Sequence, residues 1–75
     1  HNIDAEVFEF EVLPNAKVTK KPIKELKFPR DAVFGGIIRD GKALMSFGDF
    51  QILSGDKAIV FCLPEAIHIV EDLFR

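Results

Sequence analysis

Residues 35–44 read GGIIRDGKAL, and the Asp40-Gly41 pair at the centre constrains this chain more than any other feature. A two-residue hairpin loop of type I′ needs positive φ at both central positions, which Asp-Gly supplies at low cost. The apolar pairs Ile37-Ile38 and Ala43-Leu44 on either side then become antiparallel strand arms. The first arm, Val33 to Ile38, has apolar or Gly residues at both parities, which predicts a central strand covered on both faces. Gly35-Gly36 within it predicts a bulge or a close backbone approach, such as that of a second subunit.

The rest of the chain arranges itself around this hairpin. AEVFEFEVL alternates, placing Phe8, Phe10 and Val12 on one face and Val7, Glu9 and Glu11 on the other, with Pro14-Asn15 closing the strand. VTKKPIKELKFP predicts a short helix, with Thr19 as a cap, Pro22 in the first turn, an Ile23/Leu26 pair and Pro29 as the stop. After the hairpin, GDFQILSGDKAIVFCL predicts a short extended segment, a Ser54-Gly55-Asp56 turn and a strand from Ala58 to Leu63. From Pro64 the period becomes helical, with Ala66, Ile67, Val70, Leu73 and Phe74 forming a stripe that packs on the sheet. Ile69 falls outside that stripe and hints at a second contact surface. The predicted fold is therefore α+β: a single β-α-β-β-β-α domain over residues 1–75, with a mostly antiparallel sheet. His1 is an unusual first residue, read as a scar or excision remnant and set aside.

Composition enters through size. A domain of 75 residues removes only about 60% of its unfolded surface from water, yet this chain is 48% hydrophobic with eight Phe. Self-association into a homodimer is the simplest outlet for that apolar surface. A net charge of -2 offers no basic field for a phosphate backbone, so nucleic acid is not an expected partner. Lys17, Lys20, Lys21, Lys24 and Lys27 read as the solvated face of the short helix. The single Cys62 lies in the run AIVFCL as a small buried hydrophobe. No stretch approaches the ~18 apolar residues of a membrane span, and no signal peptide is recognised, so a soluble cytosolic domain is expected.

Chemical motifs are sparse. Asp4, Glu6, Glu9 and Glu11 could suggest calcium, but strand alternation divides them between faces and no ligand loop follows, so they read as a charged strand edge. His68 stands four residues before Asp72 on the terminal helix, with no nucleophile beside it, and reads as an exposed pair. The glycines match neither nucleotide-binding fingerprint. Gly48-Asp49 and Gly55-Asp56 read as turns. No metal site and no enzymatic activity are expected.

The order of these parts, FPRDAVFGGIIRDGKALMSFGDFQILSGDKAIVF followed by a Pro-started helix ending VEDLFR, resembles the C-terminal domain (TrkA-C, or RCK-C) of the regulator of potassium conductance family. Lys20 and Ser46 stand where that pattern usually has Gly and Pro. The resemblance implies a cytoplasmic regulatory domain that pairs with a copy of itself. It would lie against the inner membrane through a potassium transporter subunit and help convert ligand binding into gating. NAD or ATP would sit on a separate Rossmann-like domain, and some relatives hold a cyclic dinucleotide or a divalent cation in the dimer cleft. Carried onto this chain, the resemblance implies a ligand segment of Arg30, Asp31, Ala32, Val33 and Phe34. The implied interface comprises Val33, Gly35, Gly36, Ile37, Ile38 and Ile69. The alternative is a sensor domain of another cation antiporter or of a sodium-coupled anion symporter.

Overall fold

The computed structural model describes residues 4–75, so His1 lies outside the described residues. Four strands, β1 (Glu6–Glu11), β2 (Ala32–Arg39), β3 (Lys42–Leu44) and β4 (Lys57–Cys62), form one sheet in the order β1-β4-β2-β3, every pair antiparallel. The last strand thus lies inside the sheet, between the first and second. The hairpin forms as its sequence dictates: Asp40 and Gly41 have φ of 53° and 77°, and Arg39 pairs with Lys42.

One face of the sheet is closed. Phe8 and Phe10 of β1, Ala32, Phe34 and Ile37 of β2, and Ala58, Val60 and Cys62 of β4 all point into it. The terminal helix α1 (Ile67–Leu73), preceded by a 3-10 turn at Pro64–Ala66, covers this inner face. Ala66, Val70 and Phe74 are buried along its inward stripe, and the Phe74 ring stacks on Phe10 with centroids 5.2 Å apart.

The short first helix takes a different form. Lys17–Thr19 and Ile23–Glu25 are separate 3-10 turns. Pro22 lacks an N–H and biases Lys21 away from helical angles, so neither piece reaches the length an α-helix needs to nucleate. Pro22 itself adopts ψ 159°, and the Thr19 hydroxyl donates to Ala16 O at 2.7 Å rather than capping a helix. The segment still serves the core through Ala16 and Val18, with Ile23, Leu26 and Phe28 packed against it. Its five lysines are exposed along these turns.

Residues 48–53, expected as a short extended segment, form no strand, the turn at Ser54-Gly55 forms, and side chains hold much of the stretch 45–56 in place. Asp56 is 2% exposed. Its carboxylate accepts from Arg39 Nε and Nη2, both at 2.8 Å, and from the Leu53 N–H at 2.9 Å. Arg39 also donates to Gln51 O and lies over the Phe50 ring, 5.0 Å from its centroid. Burial pushes the Asp56 carboxyl up, but the Arg39 fork and the Leu53 amide outweigh it and hold the group below the usual carboxylate range. The same bonds raise the Arg39 pKa, so the pair stays charged.

Candidate functional site

The other face of the sheet has no covering element among the described residues. The expectation that β2 is covered on both sides therefore holds for its inner side alone within one copy. Among the described residues the two long connections, 12–31 and 45–56, send their core side chains to the inner face, and neither forms a layer over the outer one. Register places Val7, Phe61 and Val33 side by side across three strands, with exposures of 61%, 44% and 64%. The next row is Glu9, Ile59 and Gly36, and the third is Glu11, Lys57, Ile38 and Ala43. The face is apolar from its Val7–Val33 corner to β3, with carboxylates confined to the β1 edge.

The bulge at Gly35-Gly36 shapes this surface. Register shifts between Phe34 and Gly36, so Gly35 is the extra residue, and the alternation resets beyond it. Without the bulge Ile37 would share a face with Val33; with it, Ile37 turns inward and is 1% exposed, while Ile38 turns outward. Ile37 is therefore core, a correction to its place among the interface residues. The two glycines serve different needs. Gly36 has φ 153°, a conformation other residues rarely adopt, whereas a Cβ on Gly35 would stand 2.9 Å from Phe61 Cε2. The Phe61 ring lies against the Gly35 backbone, and beside it runs an apolar groove of about 340 Å³ with Gly35 and Gly36 in its lining and Ile38, Ala43, Ile59 and Phe61 around them.

The implied ligand segment is divided by the same alternation. Arg30 and Asp31 are exposed in the turn before β2, where Ala32 N–H donates to Pro29 O and Leu63 N–H donates to Asp31 O. Val33 projects outward, while Ala32 and Phe34 face the core, Phe34 tilted against Phe28 at 5.6 Å. Arg30 has no ion-pair partner among the described residues. None of the five lines the groove, which begins at Gly35. Ile69 is 60% exposed on α1, the layer that covers the opposite side of the sheet from the groove.

Other chemistry does not assemble. A depression of about 260 Å³ between β1 and the end of α1 is bordered by Glu9, Glu11, Glu71 and Arg75, with Glu71 and Arg75 paired at 3.1 Å. Among the described residues no group of three or more His, Cys, Asp or Glu could hold a metal ion. Cys62 is buried in the core, where burial and the nearby Glu6 push its thiol up and keep it protonated. No described helix is long and apolar enough to cross a membrane. Asp56 and Ser46 are the residues that local reading missed. Asp56 looked like a turn residue but closes a salt bridge across 17 positions. Ser46 accepts the Ile37 N–H at 3.0 Å and donates to Leu44 O at 2.6 Å, a hydroxyl set between the ends of two strands.

What the geometry defines is a two-layer α+β domain whose most distinctive surface is a bare apolar sheet face. Residues 7–75 match the TrkA-C domain family, and the chain belongs to it. It is 34% identical over 71 residues to a Trk system potassium uptake protein TrkA homolog 2 of Methanosarcina mazei, covering 95% of this chain and 16% of the relative. It is 34% identical over 64 residues to the Trk system potassium uptake protein TrkA homolog of Archaeoglobus fulgidus, covering 85% of this chain and 15% of that one. The Trk system potassium uptake protein TrkA of Azorhizobium caulinodans is 27% identical over 70 residues, 93% of this chain and 15% of its own length. The chain thus spans about a sixth of the length of these relatives.

Proposed function

We propose that this chain is a regulatory module of a Trk-type potassium-uptake system, placed in the cytoplasm beside a membrane potassium transporter subunit. It works by pairing with a second copy of itself through the bare face of the sheet. The observation that carries this reading is the outer face itself: Val7, Val33 and Phe61 stand 61%, 64% and 44% exposed on a rigid sheet. An apolar patch of that kind on a small soluble domain marks an interaction surface. Family membership and the names of the relatives support the potassium-uptake assignment. In this reading the module transmits a signal and performs no reaction, and NAD or ATP binds to a separate part of the parent protein.

The ligand arm of the proposal is a cyclic dinucleotide bound between two copies. Arg30, exposed and without an ion-pair partner among the described residues, would be repeated by symmetry and offer two planar forks to two phosphates. Sedimentation equilibrium tests the pairing: a dimer in the micromolar range is expected, and a monomer persisting to high micromolar concentration overturns it. Calorimetric titration with a cyclic dinucleotide tests the ligand. One molecule per dimer is expected, with Arg30→Ala weakening it by about 1.5 kcal/mol or more. Absence of heat from the wild-type dimer would remove the ligand and leave the pairing in place.

A further inference from the structure

We infer that two copies dock reciprocally at the β2–β3 end of the outer face, with Phe47 and Met45 of one protomer entering the glycine-lined groove of the other. This rests on the self-association reading above and specifies how it is achieved.

The first observation is a pair of apolar side chains left in water on a loop that is otherwise tied down. Met45 and Phe47 are 81% and 69% exposed, the two most exposed large hydrophobic residues described. Between them Ser46 is drawn inward by its bonds to Ile37 and Leu44. Beyond them Phe50 N–H donates to Phe47 O at 3.2 Å, Lys24 N–H donates to Gly48 O at 2.9 Å, and Lys24 Nζ pairs with Asp49 at 2.7 Å. The two side chains are thus presented by a restrained backbone, which lowers the ordering cost of docking them.

The second observation is a receptor on the outer face, which Met45 itself lines. The groove of about 340 Å³ has the Gly35-Gly36 backbone in its lining, Ile38 and Ala43 on one side, and Ile59 and Phe61 on the other; Met45 lies at its border. Its size suits an inserted large side chain. Met45 lines the groove and Phe47 follows two residues later on the same restrained loop, so knob and groove belong to one neighbourhood, as a closed twofold contact requires when the same patch serves both partners.

Charge and area favour a second copy on this end of the sheet. The β1 end of the face carries Glu9 and Glu11, and a twofold axis there would bring like charges together. The β3 end offers Ala43 and Met45 in their place, with Phe47 on the loop that follows. From their fractional exposures, Val33, Met45, Phe47 and Phe61 together present roughly 500 Å², more than half of the ~800 Å² that each partner contributes to a standard interface.

Sedimentation equilibrium of the wild-type chain, Phe47→Ser and Ala43→Trp tests this. Both positions are exposed, so both variants should keep the wild-type circular dichroism spectrum, which is recorded alongside. Phe47→Ser removes the knob and Ala43→Trp fills the groove. Each is expected to raise the dimer dissociation constant at least tenfold, and an equimolar mixture of the two should not recover wild-type affinity, since each heterodimer keeps at most one intact contact. If both folded variants remain as tightly dimeric as wild type, the knob-in-groove contact is wrong while self-association stands. If the wild-type chain is monomeric, self-association fails and takes this contact with it.

Discussion

The inner and outer faces of this sheet are built from the same strands and the same alternation, yet one is sealed and the other is open. On the inner face Ile37, Ala58, Val60 and Cys62 are at most 1% exposed, covered by Val70 and Phe74 and by the turns around Ala16 and Val18. On the outer face Val7 and Val33 remain more than half exposed, although they are as apolar as their inward neighbours. The difference is one of supply. A sheet of four strands has two faces to cover, and among its described residues this chain has one short α-helix and a few turns to spend on them. It commits them all to one side, where the full burial of each large side chain contributes about 1.5–3 kcal/mol. Polar groups follow the same division: Arg39 and Asp56 are locked together beneath the hairpin, whereas Glu9, Glu11 and Lys57 stay solvated outside.

The comparison is broken or sharpened most directly at two adjacent residues. Ile37→Asp puts an unpaired carboxylate into the sealed face at a cost of several kcal/mol, enough to unfold a domain of this size at 25 °C. Ile38→Asp puts the same group on the open face, beside Lys57 in register, and the protomer should keep its folded circular dichroism spectrum while its sedimentation mass falls to that of a monomer. If both variants unfold, the outer face is not a surface. If Ile37→Asp melts like wild type, the bulge does not reset the strand as described.

Next in size is the buried ion pair. Asp56→Ala leaves the half-buried Arg39 guanidinium without its partner and the Leu53 N–H without an acceptor, and should cost about 3–5 kcal/mol in urea denaturation. Asp49→Ala removes the exposed pair with Lys24 and should cost no more than about 1 kcal/mol. The Asp56 carboxyl also predicts an acid limb. Its folded pKa is depressed, so its contribution is fully present above the unfolded value of about 3.9 and is lost as the pH falls through the folded value. The melting temperature of Asp56→Ala should accordingly change less below pH 4 than that of the wild type.

Effects at the bulge are smaller than loss of the buried pair, though larger than loss of the exposed one. Gly36→Ala forces a residue with a Cβ to φ 153° and should cost about 1–3 kcal/mol. Gly35→Ala brings a Cβ to 2.9 Å from the Phe61 ring, which borders open space and can move, and to 3.1 Å from Ile59 O, a milder approach, so the loss in melting temperature should be the smaller of the two. The reverse order would place the strain in the packing rather than in the backbone.

Much of the architecture was legible because it rests on local chemistry. Asp40-Gly41 can hardly do anything but turn between two apolar arms, and the stripe of Ala66, Val70 and Phe74 announces its helix. The first helix misled because Ile23 and Leu26 have helical spacing, and the spacing is silent about whether Pro22 and Pro29 leave room for an α-helix to nucleate. Part of the outer face was legible through Val33, Gly35, Gly36 and Ile38, but Ile37 was placed with them because a bulge position cannot be read from alternation that it interrupts. Met45 and Phe47 carried no signal, since an apolar residue in a loop looks the same in sequence whether it ends up buried or in water.

By itself the sequence determined what neighbours along the chain decide among themselves: the turn at Asp40-Gly41, the alternating faces of β1 and β4, and the start of the last helix at Pro64. Only the tertiary structure decided that β4 lies between β1 and β2, that Asp56 is buried against Arg39, and that one apolar face closes while the other stays open. The physical reason is range. Turn geometry and periodicity act over two to four residues, whereas the order of strands and the allocation of a limited covering layer are settled by burial summed over the whole chain, where each face competes for the same few side chains.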